Sequence, residues 1–262
     1  MEAWLDDLAV FPDLTPVVTE KPGARRALLT VCAAQASILH PLLAAMGGSV
    51  RALQPNDWLQ RQKRNFVLRV GRQLAVVSES GPAPDGVPVL RIPAGMAFGT
   101  GEHTTTALCL RQVAEVIRRR KRSGDSCLRL IDAGTGSGIL ALAAALLGAR
   151  VEAFDADPIC LKECRANASR HPQVPKVEWR RGDVLTYRPR HQADVVVANL
   201  FADLLRAALP RMLRWVRPGG LLIMSGILRT QETDIRNALA HGGYRVTRTL
   251  RRGKWVCLVA SK

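Results

Sequence analysis

The run Leu130-Ile131-Asp132-Ala133-Gly134-Thr135-Gly136-Ser137-Gly138 joins an apolar, strand-like stretch to an apolar, helix-like one over residues 139–147. Glycine at 134, 136 and 138 removes the Cβ atoms that would block a ligand, and admits the backbone angles of a tight strand-to-helix turn. The spacing is not the dinucleotide pattern G-x-G-x-x-G: the third glycine comes one residue early, which disfavours a diphosphate seated on the helix end. No Lys-Ser or Lys-Thr follows, so a Walker-type phosphate loop is excluded as well. The plain alternative is a turn that only packs a strand on a helix. A second strand argues against it. Residues 150–155 are apolar and end in Asp155, about twenty residues past the glycines, where a carboxylate can accept both hydroxyls of a ribose. Asp157 precedes Pro158 and suits a helix cap instead.

Around this unit the chain alternates. Strand-like runs at residues 128–133, 150–155, 177–180, 193–199, 220–225, 244–250 and 255–260 are separated mostly by helical segments, which predicts an α/β fold with a mostly parallel sheet. Pro218-Gly219-Gly220 ends a helix near Val216, and the short turn at 251–253 joins the last two strands as a hairpin, so an antiparallel edge strand is expected. Asn199 closes the run 193–199 on the side where open parallel sheets bind ligands. Upstream, residues 98–106 combine glycines with threonines and read as a hydrogen-bonding segment suited to fold over a ligand. Thr104, Thr105 and Thr106 there cap a helix over 107–120. His103 reads as a hydrogen-bonded loop residue, with a general-base role as the lesser alternative. Residues 78–86 are rich in turn formers, and place a boundary near residue 80 between a small α+β domain (1–80) and a larger one (81–262). Within the small domain the pattern predicts a strand over 27–33, a helix over 35–46 and a strand over 50–53.

Lys and Arg number 38 against 22 Asp and Glu, a net charge of +16, which attracts polyanions such as RNA. Clusters fall at 118–122, at Arg180 and Arg181, at Arg188 and Arg190, at Arg245 and Arg248, and at Arg251, Arg252 and Lys254; any one of them serves equally as a solvated surface. The five histidines are scattered and no cysteine pair has ligand spacing, so no metal site is expected. The six cysteines read as reduced core residues. The start of the chain is acidic and lacks an apolar run, and no segment approaches the ~18 apolar residues of a membrane span, so a cytoplasmic location without membrane contact is expected.

The string Asp-x-Gly-x-Gly-x-Gly resembles motif I of class I methyltransferases. Combined with Pro93-Ala94-Gly95-Met96-Ala97-Phe98-Gly99-Thr100-Gly101-Glu102-His103-Thr104-Thr105-Thr106 and with Val195-Val196-Val197-Ala198-Asn199-Leu200, it is similar to the ribosomal protein L11 methyltransferase (PrmA) family, over about residues 57–262. The resemblance implies a seven-stranded, Rossmann-like class I methyltransferase sheet, with S-adenosylmethionine as cofactor. Its cofactor contacts fall on Thr106, Gly134, Asp155 and Asn199, with Asp132, Gly136 and Thr105 beside them and Asp183 near the adenine amino group. Asn199 and Phe98 are the catalytic candidates, Phe98 offering an apolar face near the methyl sulfonium. Base and glutamine methyltransferases follow the equivalent of Asn199 with Pro-Pro and an aromatic. Here Leu200-Phe201-Ala202 follows, which fits an aliphatic amine better than a planar target. Phe201 lines a substrate channel or, as is commoner for an aromatic at a helix start, sits in the core. The implied activity is lysine N-methylation of ribosomal protein L11, with residues 1–80 as a shortened, truncated form of the family's recognition domain. The runner-up is an RNA- or ribosome-binding protein on a methyltransferase fold that has lost or changed its methyl-transfer activity.

Overall fold

The computed structural model describes residues 15–19, 28–32, 36–50, 66–93, 103–124 and 127–262. The chain divides into two compact units, Met1–Trp58 and Leu59–Lys262. In the first, β1 (Thr15–Thr19) pairs antiparallel with β2 (Leu28–Cys32), and a 3-10 turn at Ala36–Leu39 leads into α1 (His40–Met46), which stops at Gly47. The expected strand over 50–53 lies, apart from Val50, outside the described residues.

The second unit begins with a small sheet. β3 (Val67–Val70) turns back through Gly71 onto β4 (Leu74–Val77), and β4 pairs in parallel with β5 (Val89–Arg91). Residues 78–86 therefore connect two strands of one sheet, and the division between the units falls earlier, at Trp58 and Leu59.

The main sheet has seven strands, β6 (Arg129–Ala133), β7 (Arg150–Asp155), β8 (Glu178–Arg181), β9 (Ala193–Asn199), β10 (Val216–Leu228), β11 (Arg245–Arg252) and β12 (Trp255–Ser261). Their order is β11-β12-β10-β9-β6-β7-β8, parallel from β8 through β10. The hairpin expected at the end of the chain is present, but its reversed strand is not the edge. β12 inserts antiparallel between β10 and β11, leaving β11 outermost. The burial pattern explains this. β12 is buried along almost its whole length, whereas β11 is exposed or half-buried throughout and carries arginines, the composition an edge tolerates.

Alternation along the strands divides the core between the two faces of the sheet. Leu130, Val151, Val195, Val197 and Ile223 pack with α2 (Thr104–Arg122) and α3 (Ile139–Leu146). Ile131, Val196, Leu222 and Met224 pack with α5 (Ala202–Trp215) and α6 (Glu232–His241). The remaining helix, α4 (Pro158–Ser169), starts as expected: Asp157 Oδ1 accepts from Ile159 N at 2.7 Å, with Pro158 in the first turn. Phe201, for which a core position was the commoner expectation, is 79% exposed at the head of α5, while Leu205 one turn later is fully buried. Leu205→Ala should therefore cost about 3 kcal/mol and Phe201→Ala less than about 0.5 kcal/mol, read from denaturant midpoints. Equal losses would contradict this placement of α5.

Candidate functional site

β7 and β8 extend the sheet to one side of β6 and β9 to the other, so the direction of strand order reverses between β6 and β9. At such a switch point the connections leave in opposite directions and open a crevice beyond the strand ends. A cavity lies there. Its lining includes the glycine loop, Asp155 at the end of β7, Asn199 at the end of β9 and Thr105 with Thr106 from α2.

The loop is held from below and from the side. Asp132 is completely buried, and its Oδ2 accepts from Thr135 Oγ1 at 2.6 Å and from Ala141 N at 3.1 Å. Strand, loop and helix are thereby tied together. Cys164 Sγ donates to Gly136 O at 3.0 Å, and Asn167 Nδ2 donates to Ser137 O at 2.9 Å. Glycine is required at 134, where φ is +70° and a Cβ would meet Leu200 Cδ2 at 2.4 Å. It is required again at 226, which lines the cavity, where φ is +88° and a Cβ would lie 2.1 Å from Leu200 O.

The polar groups of the cavity are few. Asp155 Oδ2 accepts from Gly136 N at 2.9 Å and Oδ1 from Asp157 N at 3.0 Å, which fixes the carboxylate against the loop. Asn199 Nδ2 donates to Thr106 Oγ1 at 3.3 Å, and its buried Oδ1 has no hydrogen-bond partner among the described residues. His103 caps α2: its Nδ1 accepts from Thr105 N at 3.4 Å and lies 2.7 Å from Thr105 Oγ1. Burial, and then the Lys254 ammonium, hold its pKa below the ordinary histidine value. The helix thus begins at Thr104, with the threonines in its first turn rather than before it. Trp255 meets the His103 ring edge-on at 5.1 Å.

Of the residues expected at a site, Thr105, Thr106, Gly134, Gly136, Asp155 and Asn199 converge on this cavity. Two do not. Asp132 lies beneath the loop, where both of its hydrogen bonds are internal, and it supports the loop instead of facing the cavity. Asp183 is exposed and closes a turn, its Oδ1 accepting from Leu185 N at 2.8 Å, and it is not in the lining. Phe98 lies outside the described residues. Ile139, Leu140, Cys160, Gly226 and Trp255, for which no site role was expected, also line the cavity; they arrive from α3, α4, β10 and β12, a convergence that only the tertiary fold produces.

Among the described residues the lining contains one carboxylate and no lysine or arginine. Such a cavity suits a ligand with positive charge and suits a diphosphate poorly. No group of His, Cys, Asp and Glu among the described residues gathers as a metal site.

The sheet order, the reversed penultimate strand and the glycine loop at the switch point define a class I methyltransferase fold. Residues 24–262 match the model of the ribosomal protein L11 methyltransferase (PrmA) family. A ribosomal protein L11 methyltransferase of Pelotomaculum thermopropionicum is 38% identical over 231 residues, 86% of this chain and 72% of that protein. Its counterpart from Thermus thermophilus is 36% identical over 202 residues, 77% and 76% of the two chains. The crystal structure of a ribosomal protein L11 methylase from Lactobacillus delbrueckii subsp. bulgaricus aligns with a TM-score of 0.63 at 30% identity, over 75% of this chain and 98% of that one. The chain belongs to the ribosomal protein L11 methyltransferase family. It spans 65% of the length of the Desulfitobacterium hafniense relative.

Burial, and less strongly the Asp155 charge, push the Asp132 pKa up to about 7, from an unfolded value near 4. The folded chain then holds this proton more tightly than the unfolded one. The resulting stability is complete below pH ~4 and is lost as the pH rises to about 7. Asp132→Asn should flatten the stability profile across that window, measured as the denaturant midpoint against pH; parallel profiles for the two proteins would contradict it.

Proposed function

We propose that this chain is an S-adenosylmethionine-dependent protein N-methyltransferase that modifies lysine side chains of ribosomal protein L11 in the cytoplasm. The observation that carries the reading is a cavity at the switch point with one carboxylate, no lysine or arginine among its described lining residues, and an unpartnered buried acceptor, Asn199 Oδ1. Membership of the L11 methyltransferase family supports the same substrate. No helix among the described residues is long and apolar enough to cross a membrane, which is compatible with that location.

S-adenosylmethionine, when bound, supplies an electrophilic methyl group on a sulfonium. Asp155 suits its ribose hydroxyls, because a carboxylate accepts two hydrogen bonds at once. The backbone at Gly134 and Gly136 allows close approach, and Thr105 and Thr106 offer hydroxyls to the amino-acid end. Asn199 Oδ1 is the acceptor for an amine N–H, and it orients the nitrogen while Thr106 Oγ1 holds the other end of the amide. A free lysine, of pKa about 10.4, is protonated at neutral pH. Entry into the cavity lowers that value by desolvation and by repulsion from a neighbouring cation, so the ammonium gives up its proton to water on the way in and no strong base is needed. Catalysis then depends on alignment of amine, methyl and sulfur. Phe98 belongs to the same proposal, as an apolar neighbour of the methyl group. So does the closure of residues 98–106 over the cofactor.

Residues of the N-terminal unit are proposed to recognise the ribosomal substrate. The net charge of +16 is proposed to bring the enzyme to RNA of the ribosomal particle.

Asp155→Ala should weaken S-adenosylmethionine binding by about 2 kcal/mol or more, on the order of 30-fold in Kd by calorimetry; an unchanged Kd would show that Asp155 is only a loop anchor. Asn199→Ala should lower the rate of methyl transfer to L11 on the order of 100-fold. Mass spectrometry of ribosomal proteins from strains with and without the gene tests the substrate, methyl-lysine on L11 being expected only where the gene is present. Identical L11 masses would overturn the assignment.

A further inference from the structure

The parallel strands deliver their C-terminal ends to the cavity and their N-terminal ends to the opposite edge of the sheet, roughly 13 Å away along the 5 residues of β6. Cations far apart in sequence meet at that opposite edge. Arg129 and Arg150 open β6 and β7, and with Arg190 and His191 they line a cleft that also contains Glu152 and Glu178. Gln192 borders both this cleft and a second one lined by Arg214, Arg217 and Lys262. Hydrogen bonds make the surface continuous. Arg150 N donates to Leu128 O at 2.8 Å, and Arg129 N donates at 2.8 Å to Asp194, whose other oxygen holds Arg217. Arg120 Nη2 donates to Gly219 O at 3.2 Å and brings the cationic end of α2 to the rim, where a Cβ on Gly148 would meet Lys121 Nζ at 3.0 Å.

Part of this charge has an ordinary cause, since cations in the last turn of α2 offset the negative end of the helix dipole. That cause does not reach Arg129, Arg150 or Arg190, which are on strands or loops. Nor do the described carboxylates of this edge balance Arg129 and Arg150. Glu115 is held by Arg118 and Arg119, Glu152 by Arg180, Glu178 by Arg180 and, at 4.0 Å, by Arg190, and Asp194 by Arg217. Exposed Lys121, Arg122, Arg129, Arg150, Arg214 and Lys262 therefore stand in excess of the acids around them. Exposed cations spaced along a grooved edge match a ligand that is itself a row of separated negative charges.

We propose that this basal edge is the binding surface for the phosphate backbone of structured RNA. It lies away from the cavity, so a protein substrate reaches Asn199 while RNA is bound. The inference rests on the RNA contact suggested above and adds its location.

The test uses the full chain and a fluorescent RNA hairpin, with affinity measured across a series of salt concentrations. R129Q/R150Q/R190Q should bind at least about tenfold more weakly, and its log K against log salt slope should fall by about 2 to 3. R206Q/R248Q/R252Q, which removes the same charge elsewhere, should stay within about threefold of wild type. Methyl transfer to a soluble L11 peptide should be the same in all three proteins, which also reports that the variants are folded; K121E/R122E provides a second basal variant if the first is not. Wild type that binds no hairpin would overturn the RNA contact itself. Hairpin binding that drops equally in the basal and control variants, or in neither, would leave the contact standing and overturn its location. Capture by phosphatidylserine vesicles in place of the hairpin would overturn RNA as the partner.

Discussion

A single buried carboxylate organises the functional end of this molecule. Asp132 has no exposed surface, and it spends one oxygen on Thr135 within the glycine loop and on Ala141 within α3. A carboxylate in that position is costly, because the hydrogen bonds from Thr135 and Ala141 offset only part of its lost solvation, and its raised pKa is the expression of that cost. In return the strand, the turn and the helix cannot move independently. The loop so fixed presents Gly136 N to Asp155, and Asp155 is held in turn at the mouth of the crevice. The neighbouring negative charge of Asp155 raises Asp132 further, so a cation in the cavity would offset that repulsion.

Charge is separated across the sheet. The chain as a whole is strongly basic, yet among the described residues the cavity at the C-terminal strand ends contains no lysine or arginine. The cations gather at the N-terminal strand ends and along β11. Side chains that face a cationic ligand must not repel it, and the sheet keeps its basic groups at the end away from the cavity.

Most of the architecture was legible in the sequence because its signals are local. Glycines flanked by two apolar runs, an acid at the end of the next strand and the Asp157-Pro158 cap each act within a few residues, and β7 and β9 fall where their apolar patterns end. The misplaced features depend on distant contacts. A hairpin signal cannot say whether its second strand ends the sheet or enters it, and β12 enters because its side chains are the apolar ones. Phe201, readable as a channel residue or a core one, is turned by the head of α5 into the lining of the cavity, and Asp132 looks like a ligand contact until its hydrogen bonds are traced inward. The threonines were placed ahead of their helix because His103, which is not among the usual capping residues, takes that role. Trp255 reaches the cavity from a strand that follows the glycine loop by most of the catalytic sheet, and no periodicity announces it.

The central claim is that the crevice between Asp155 and Asn199 is the cofactor site of this chain. Diffraction from crystals grown with S-adenosylhomocysteine tests it most directly. The account predicts ribose hydroxyls on the Asp155 carboxylate and the homocysteine end beside Thr106 and Asn199. Density for the ligand anywhere else on the chain, or a crevice that stays empty at saturating ligand, would contradict it.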